Sequence, residues 1–271
     1  MIDKSTLTNS KNAFLDVVDA NDYVKIDRIS EIYLSLKDSI SKPLKMILLY
    51  GKPGTGKSML LNKLHYDLKD ERKVYLYKTP ILDENEFFKL LAQDIFNFKS
   101  DTLNYTQFIK IVDKNNNTDD EVPIVLLDEA QLYSDKQMEQ IRLLSDTRKI
   151  KFVITLHKTQ QEDIIAKEHF QTRIWESIIL DNAKKIELKT YIQKKLLKAD
   201  CVDSANMITD KNISLIHKLT NGNYRDTNKL LYTVFEIYLH YLEYKPKKVT
   251  TKFLSSKIIE MSAIQTGLID A

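Results

Sequence analysis

A glycine-rich loop is the clearest chemical signal in this sequence. Residues 51–58 read GKPGTGKS, which fits the pattern G-x-x-x-x-G-K-[ST], and they lie between the apolar run MILLY and the helical pattern MLLNKLHYDL. Three of the five glycines in the chain lie here, where their backbone freedom lets consecutive N–H groups face a phosphate. The alternative is a glycine turn followed by a helix with a solvated lysine. The phosphate-binding interpretation predicts nucleotide contacts from Gly51, Pro53, Gly54, Thr55, Gly56, Lys57, Ser58 and Met59.

Two carboxylates supply the second part of the chemistry. Asp128 and Glu129 directly follow the apolar run of residues 124–127, at the end of a predicted strand, where open α/β proteins bind ligands. Alone, such a pair usually marks a strand entering solvent. With the upstream loop, we expect Lys57 to reach the β- and γ-phosphates, Ser58 and Asp128 to hold Mg²⁺, and Glu129 to activate a water. The residues therefore predict binding and hydrolysis of Mg-ATP.

The elements that must position these residues alternate between strand and helix patterns. Short apolar runs at residues 45–50, 74–78, 124–127, 151–156 and 174–180 are separated by stretches of helical periodicity. This alternation predicts an α/β fold with a parallel five-stranded sheet and helices on both faces. Residues 26–40 predict one amphipathic helix, and from residue 181 onward only helix patterns remain, at 184–199, 211–219, 225–243 and 251–262.

That change of pattern predicts the domain organisation. We expect a partly ordered tail over residues 1–20, a nucleotide-binding α/β domain over 21–181 and an all-helical domain over 182–271.

Composition narrows the class of protein. An apolar fraction of 43% is ordinary for a soluble globular chain. The sequence has no run of about 18 apolar residues, which is the length needed to span a membrane. The 41 basic and 38 acidic residues leave a net charge of +3, so charge does not indicate a dedicated DNA binder, although DNA binding stays open. The single cysteine, Cys201, cannot form an internal disulfide, and the N-terminus lacks a secretory signal pattern. We expect a cytoplasmic protein whose only metal is nucleotide-bound Mg²⁺.

The loop and the stretch LLDEAQ at residues 126–131 together resemble the AAA+ ATPases of the ExeA (general secretion GspA) type, with archaeal origin-recognition initiators as more distant relatives. Four further stretches match the pattern of that family in order, at residues 16–40, 169–180, 186–200 and 219–231, so that the resemblance spans about residues 15–262. It implies the AAA+ (ASCE class) P-loop NTPase fold with a C-terminal helical lid, and it implies ATP and Mg²⁺ as cofactors. It also implies a homo-oligomer in the ATP-bound state.

The same resemblance implies roles for two arginines. Arg225, in the stretch GNYR, would be sensor 2, which reaches the γ-phosphate from the lid; Tyr224 stands where the family usually has proline. Arg173, in the stretch QTRI, would be the arginine finger that completes the site of a neighbouring subunit. A surface arginine is the alternative for each.

The resemblance also implies a sensor 1 and an adenine contact. Sensor 1 should be a polar residue at the end of the fourth strand, where this chain departs from the G-Q-P of its relatives; His157 is the first candidate and Thr155 the alternative. Tyr23 and Val24 would flank the adenine, or else pack against the following helix.

The process implied by the resemblance is assembly of an envelope machine: type II secretion, a type IV pilus or a DNA-uptake apparatus, with membrane components as partners. Two other classes remain open. One is a DNA-binding ATPase of transposition or replication, and the other is a nucleotide-gated scaffold with little turnover.

Overall fold

The structure, a computed structural model, describes residues 3–43, 46–114, 122–157, 176–248 and 252–270. The chain forms two compact units. The first comprises Asp19–Asn21 and Arg28–Leu180, and the second comprises Met1–Val18, Asp22–Asp27 and Asp181–Ala271. Within the described ranges, no helix is both long and apolar enough to cross a membrane.

The first unit is built on a five-stranded parallel sheet, as the sequence predicts. Its strands are β1 (Met46–Gly51), β2 (Val74–Tyr77), β3 (Ile124–Leu127), β4 (Lys151–His157) and β5 (Glu176–Leu180), in the order β2-β3-β4-β1-β5. All four residues of β3 are buried, which is what a strand in the interior of a parallel sheet requires. Because every strand runs in the same direction, the carboxyl ends of β1, β3 and β4 meet at one edge.

Helices connect the strands and form the second unit. In chain order they are α1 (Lys4–Asn12), α2 (Asp27–Ser41), α3 (Lys57–Leu68), α4 (Glu84–Phe96), α5 (Tyr105–Lys114), α6 (Asp135–Asp146), α7 (Lys185–Lys198), α8 (Val202–Met207), α9 (Asp210–Thr220), α10 (Tyr224–Tyr244) and α11 (Ser256–Gln265).

Helix caps and a cluster of aromatic side chains stabilise the sheet unit. The side chain of Asp83 accepts from the N–H of Glu86 at 2.8 Å to begin α4, and Ser134 forms a capping box that begins α6. Buried Phe87, Phe88, Phe108 and Tyr133 pack on the sheet, with ring centroids 5.2–5.5 Å apart between neighbours.

The N-terminal segment differs from the tail that the sequence predicts. Residues 4–12 form α1, which Asp3 caps by accepting from the N–H of Thr6 at 2.7 Å. Phe14 is buried and its ring stacks on that of Phe235 in α10, with centroids 6.0 Å apart. The helix carries a single apolar core residue, Leu7, so the sequence offers no period from which to predict it. Residues 1–18 therefore belong with the helical unit.

The helical unit otherwise follows the predicted pattern closely. It resumes at Asp181, one residue from the predicted boundary. The four predicted helices correspond to α7, α9, α10 and α11, and α8 is an additional short helix of six residues. The sequence of α8, VDSANM, is too short to display a helical period.

Candidate nucleotide-binding site

The glycine-rich loop connects β1 directly to α3. Gly54 and Gly56 have left-handed backbone angles, with φ values of 78° and 98°, which L-residues with a side chain rarely adopt. Gly56 is the N-cap of α3, and because glycine has no side chain, it leaves the first N–H groups of the helix available to an anion. The Thr55 hydroxyl donates to the carbonyl of Lys52 at 2.9 Å and closes the loop on itself.

Gly51 is required for a different reason. A Cβ atom at this position would lie 2.1 Å from the carbonyl oxygen of Leu180 and 3.0 Å from the hydroxyl of Thr55. Leu180 is the Cα partner of Gly51 in the β1–β5 ladder, so the obstructing atom belongs to the sheet backbone and cannot rotate away. The close packing of β5 against the start of the loop therefore needs glycine.

Lys57 lies along the loop rather than in solvent. Only 5% of the residue is exposed, and its ammonium group donates to the carbonyl oxygens of Gly51 at 2.9 Å and Lys52 at 3.0 Å. Ser58 and Met59, the next two predicted contacts, are half-buried in the first turn of α3, and Pro53 is exposed. The loop thus presents an ammonium group and backbone N–H groups together, which suits a polyphosphate.

The two carboxylates follow β3 at the same edge of the sheet. Asp128 is 6% exposed, and its Oδ1 accepts from the hydroxyl of Thr155 at 2.5 Å and from the N–H of Glu129 at 3.1 Å. The same Glu129 N–H donates to the Thr155 hydroxyl at 3.0 Å. Thr155 is completely buried in β4, so its hydroxyl links the neighbouring strand to both carboxylate residues.

Glu129 has an uncommon backbone conformation. Its φ and ψ angles are 54° and 39°, in the left-handed region, where a residue other than glycine, asparagine or aspartate is uncommon. Its carboxylate oxygen Oε2 contacts Nε2 of His157 at 3.1 Å and accepts a hydrogen bond from the side-chain amide of Gln131. His157 is the last residue of β4 and the Cα partner of Gly51, which places this group beside the start of the loop.

Residues 42–164 match the family model described as an AAA domain. The fold is that of an AAA+ ATPase. The chromosomal replication initiator protein DnaA of Helicobacter hepaticus is 26% identical over 212 residues, which cover 76% of this chain and 41% of DnaA. The chain therefore spans about two fifths of the length of that relative.

Several solved structures have this fold. Drosophila ORC bound to DNA has a TM-score of 0.68 at 15% identity, over 98% of this chain and 67% of that chain. Cdc6p from Pyrobaculum aerophilum has a TM-score of 0.65 at 14% identity, over 98% and 71%. Aeropyrum pernix ORC1 in complex with DNA has a TM-score of 0.62 at 14% identity, over 94% and 69%. At these identities the likeness establishes the AAA+ fold, and the ExeA type remains a prediction.

Within the AAA+ fold, the two candidates for sensor 1 contact different members of the carboxylate pair. Thr155 binds Asp128, and His157 contacts Glu129. The sequence placed both residues near the end of β4 but could not assign their partners, because that assignment depends on the register between β3 and β4.

Gln131 is a site residue that the sequence interpretation missed. Its amide nitrogen donates to Oε2 of Glu129 and lies 3.3 Å from Nδ1 of His157. The signal was its position two residues after Glu129 in the stretch LLDEAQ, within the short 3₁₀ helix Ala130–Leu132. In the sequence, that stretch carries the family resemblance, and no role was assigned to its glutamine.

Four predicted site residues are not among the described residues of the sheet unit. Arg225, Tyr23 and Val24 belong to the helical unit, and Arg173 lies outside the described residues. Arg225 is in the first turn of α10, and its Nε lies 3.4 Å from the carboxylate of Asp16, with both side chains more than half exposed. Their roles toward the nucleotide stay predictions.

The turn before α10 is closely packed. A Cβ at Gly222, whose φ is 71°, would lie 2.0 Å from the carbonyl oxygen of Ala183. The Asn223 side chain caps the helix by accepting from the N–H groups of Arg225 and Asp226 at 3.1 and 3.2 Å. The backbone that carries Arg225 is therefore held in one conformation.

Proposed function

We propose that this chain hydrolyses ATP and that Glu129 accepts the proton of the attacking water. The observation that carries the proposal is the position of Glu129: its carboxylate lies at the sheet edge beside the glycine-rich loop, held by two side chains and fixed through its own backbone N–H. A carboxylate placed in this way next to a phosphate-binding loop can orient a water and remove its proton.

The residues at the site fit a nucleotide with its Mg²⁺. The backbone N–H groups of residues 51–58 and the ammonium of Lys57 would hold the phosphates, and Ser58 with Asp128 would hold the ion. Both hydrogen bonds to the Asp128 carboxylate are made to Oδ1, and no described residue donates to Oδ2, which leaves that oxygen for a cation. Bound Mg²⁺ would neutralise charge on the phosphates. Arg225 as sensor 2 and Arg173 as a finger from a neighbouring subunit complete the proposed machinery.

Two variants separate binding from hydrolysis. Lys57→Ala should lose affinity for ATP in calorimetry, because its ammonium is held against the loop that would bind the phosphates. Glu129→Gln should bind ATP as tightly as the parent and lose turnover, because the amide keeps the shape of the side chain and cannot accept the proton. Circular dichroism melts of both variants control for folding.

Each outcome has a definite meaning. A folded Lys57→Ala variant with parental affinity contradicts the proposed phosphate site. A Glu129→Gln variant with parental turnover contradicts the role of Glu129. Tight ATP binding by the parent without turnover supports a nucleotide-gated scaffold instead.

We further propose that the process served is a DNA-directed one. DnaA is named as a chromosomal replication initiator, and Drosophila ORC and Aeropyrum pernix ORC1 are described in complexes with DNA. These relatives support the DNA-binding class over assembly of a secretion, pilus or competence machine, which remains the alternative. A net charge of +3 at pH 7 permits a local basic surface.

A duplex-binding titration tests this second proposal. Fluorescence anisotropy with ATP should show binding that weakens steeply between about 50 and 200 mM salt, because neutralised phosphates release counterions. Lys57→Ala serves as the matched control for dependence on ATP. Failure to bind duplex at low salt, with ATP hydrolysis intact, would favour the envelope class and leave the ATPase proposal standing.

A further inference from the structure

Three side chains form a closed set of contacts around one oxygen atom. The amide nitrogen of Gln131 donates to Oε2 of Glu129, and Nε2 of His157 lies 3.1 Å from the same oxygen. The third contact joins the amide nitrogen of Gln131 to Nδ1 of His157, at 3.3 Å. Both contacts to Glu129 are made at Oε2, and no described residue donates to Oε1.

The hydrogen bond between Gln131 and His157 is compatible with one neutral tautomer of the ring. With the proton on Nε2, the lone pair on Nδ1 can accept from the amide of Gln131, while Nε2 lies in close contact with Oε2 of Glu129. Gln131 thereby fixes the orientation of His157 and the position of Oε2 together.

Gln131 keeps this position at an energetic cost. Its amide oxygen is buried and has no hydrogen-bond partner among the described residues, and an unpaired buried acceptor is unfavourable. The geometry indicates that the useful group is the amide nitrogen, directed at Glu129.

We propose that Gln131 is a positioning residue for Glu129, and that Gln131 and His157 together hold Oε2 so that Oε1 is presented to the attacking water. This inference rests on the proposed hydrolysis of ATP. Gln131 would not touch the nucleotide, so its removal should change the rate of the chemical step and leave nucleotide binding intact.

Gln140 supplies a matched control within the same unit. This glutamine is buried, whereas Gln131 is half-buried. Like Gln131, it donates from its amide nitrogen to a glutamate, Oε1 of Glu84 at 2.7 Å, and its amide oxygen lacks a partner among the described residues. It joins α6 to the start of α4, away from the carboxylate pair. Gln131→Met and Gln140→Met therefore remove the same groups, one at the site and one in the scaffold.

The experiment compares steady-state ATP hydrolysis and nucleotide affinity in the two variants. Gln131→Met should lower kcat about 10- to 100-fold with KM and Kd for ATP changed less than about 2-fold, since misplacing a reacting group acts on the rate. Gln140→Met should keep the parental kcat. Thermal melts should show similar changes in Tm for the two variants.

A double-mutant comparison adds a second readout. In a Glu129→Gln background, Gln131→Met should cause no further loss in single-turnover hydrolysis, because its carboxylate target is already gone. The inference would be overturned if Gln131→Met and Gln140→Met lose kcat equally, or if Gln131→Met changes only KM. It would also be overturned if Gln131→Met lowers the rate as much in the Glu129→Gln background as in the parent. If Gln131→Met is unaffected while Glu129→Gln is inactive, only this inference fails; if the parent does not hydrolyse ATP, both proposals fail.

Discussion

Replacement of Thr155 by valine tests how the site is held together. Valine has the shape of threonine without the hydroxyl, and Thr155 is fully buried. The change removes the donor to Oδ1 of Asp128 at 2.5 Å and the acceptor for the Glu129 N–H at 3.0 Å. The Glu129 N–H keeps its contact with Oδ1 of Asp128 at 3.1 Å, so that one hydrogen bond survives.

The expected loss can be estimated from these contacts. A hydrogen bond to a charged carboxylate contributes about 1.5–3 kcal/mol and a neutral one about 0.5–1.5 kcal/mol. We therefore expect Thr155→Val to lower the free energy of unfolding by about 2–4 kcal/mol. Thr155→Ser is the matched control, because it retains the hydroxyl and loses one buried methyl, which costs about 1 kcal/mol.

Urea unfolding and ATP hydrolysis, measured on both variants, check the estimate. Thr155→Val should be the less stable variant and should also have the lower kcat, because Asp128 and Glu129 both lose a fixed partner. If Thr155→Val proves as stable as Thr155→Ser, or retains parental turnover, then the hydroxyl bridge does not hold the carboxylates as argued.

Three further predictions concern other parts of the chain. Gly51→Ala should destabilise the sheet unit by about 3 kcal/mol or more in urea unfolding, because its Cβ would meet the Leu180 carbonyl at 2.1 Å; parental stability would contradict the packing. Burial lowers the pKa of Lys195 in the folded protein. At pH values between this lowered pKa and the ordinary pKa of lysine, the unfolded chain binds more protons than the folded protein, so the free energy of unfolding rises with pH. Lys195→Met should lack that alkaline rise, and an unchanged pH profile would refute it. Mixing Arg173→Ala with Glu129→Gln protein should partly restore hydrolysis if Arg173 acts on a neighbouring subunit; a mixture that stays inactive would make Arg173 a surface residue.

The sheet could be predicted because its signal is local. Each strand is a short apolar run next to a helical pattern, and β3 coincides with the predicted residues 124–127. The α1 helix could not be predicted, since its burial rests on Leu7 and on Phe14 beyond its end, packed against a helix more than 200 positions away. Nothing within residues 4–12 marks that face as buried.

The site likewise contains residues that the sequence predicts and contacts that it does not. Lys57, Asp128 and Glu129 were predicted because motif and neighbouring element are contiguous in sequence. The partnership of Thr155 with Asp128 and of His157 with Glu129 depends on how β4 lies beside β3 and β1. Sequence order fixes neither register nor side-chain contact across strands, so these pairings had to come from the structure.

Asp128, the proposed metal ligand, and Glu129, the proposed base, do not hold independent positions in this fold. Glu129 takes a left-handed conformation that costs an L-residue on the order of 1–2 kcal/mol, and its N–H is shared between Oδ1 of Asp128 and the hydroxyl of Thr155. That hydroxyl donates in turn to the same Oδ1. A displacement of the Asp128 carboxylate must therefore alter both contacts of the Glu129 N–H, and with them the backbone angles that aim the Glu129 side chain. Because Gln131 and His157 hold the other end of that side chain, the carboxylate of Glu129 is constrained from its backbone and from its tip at once.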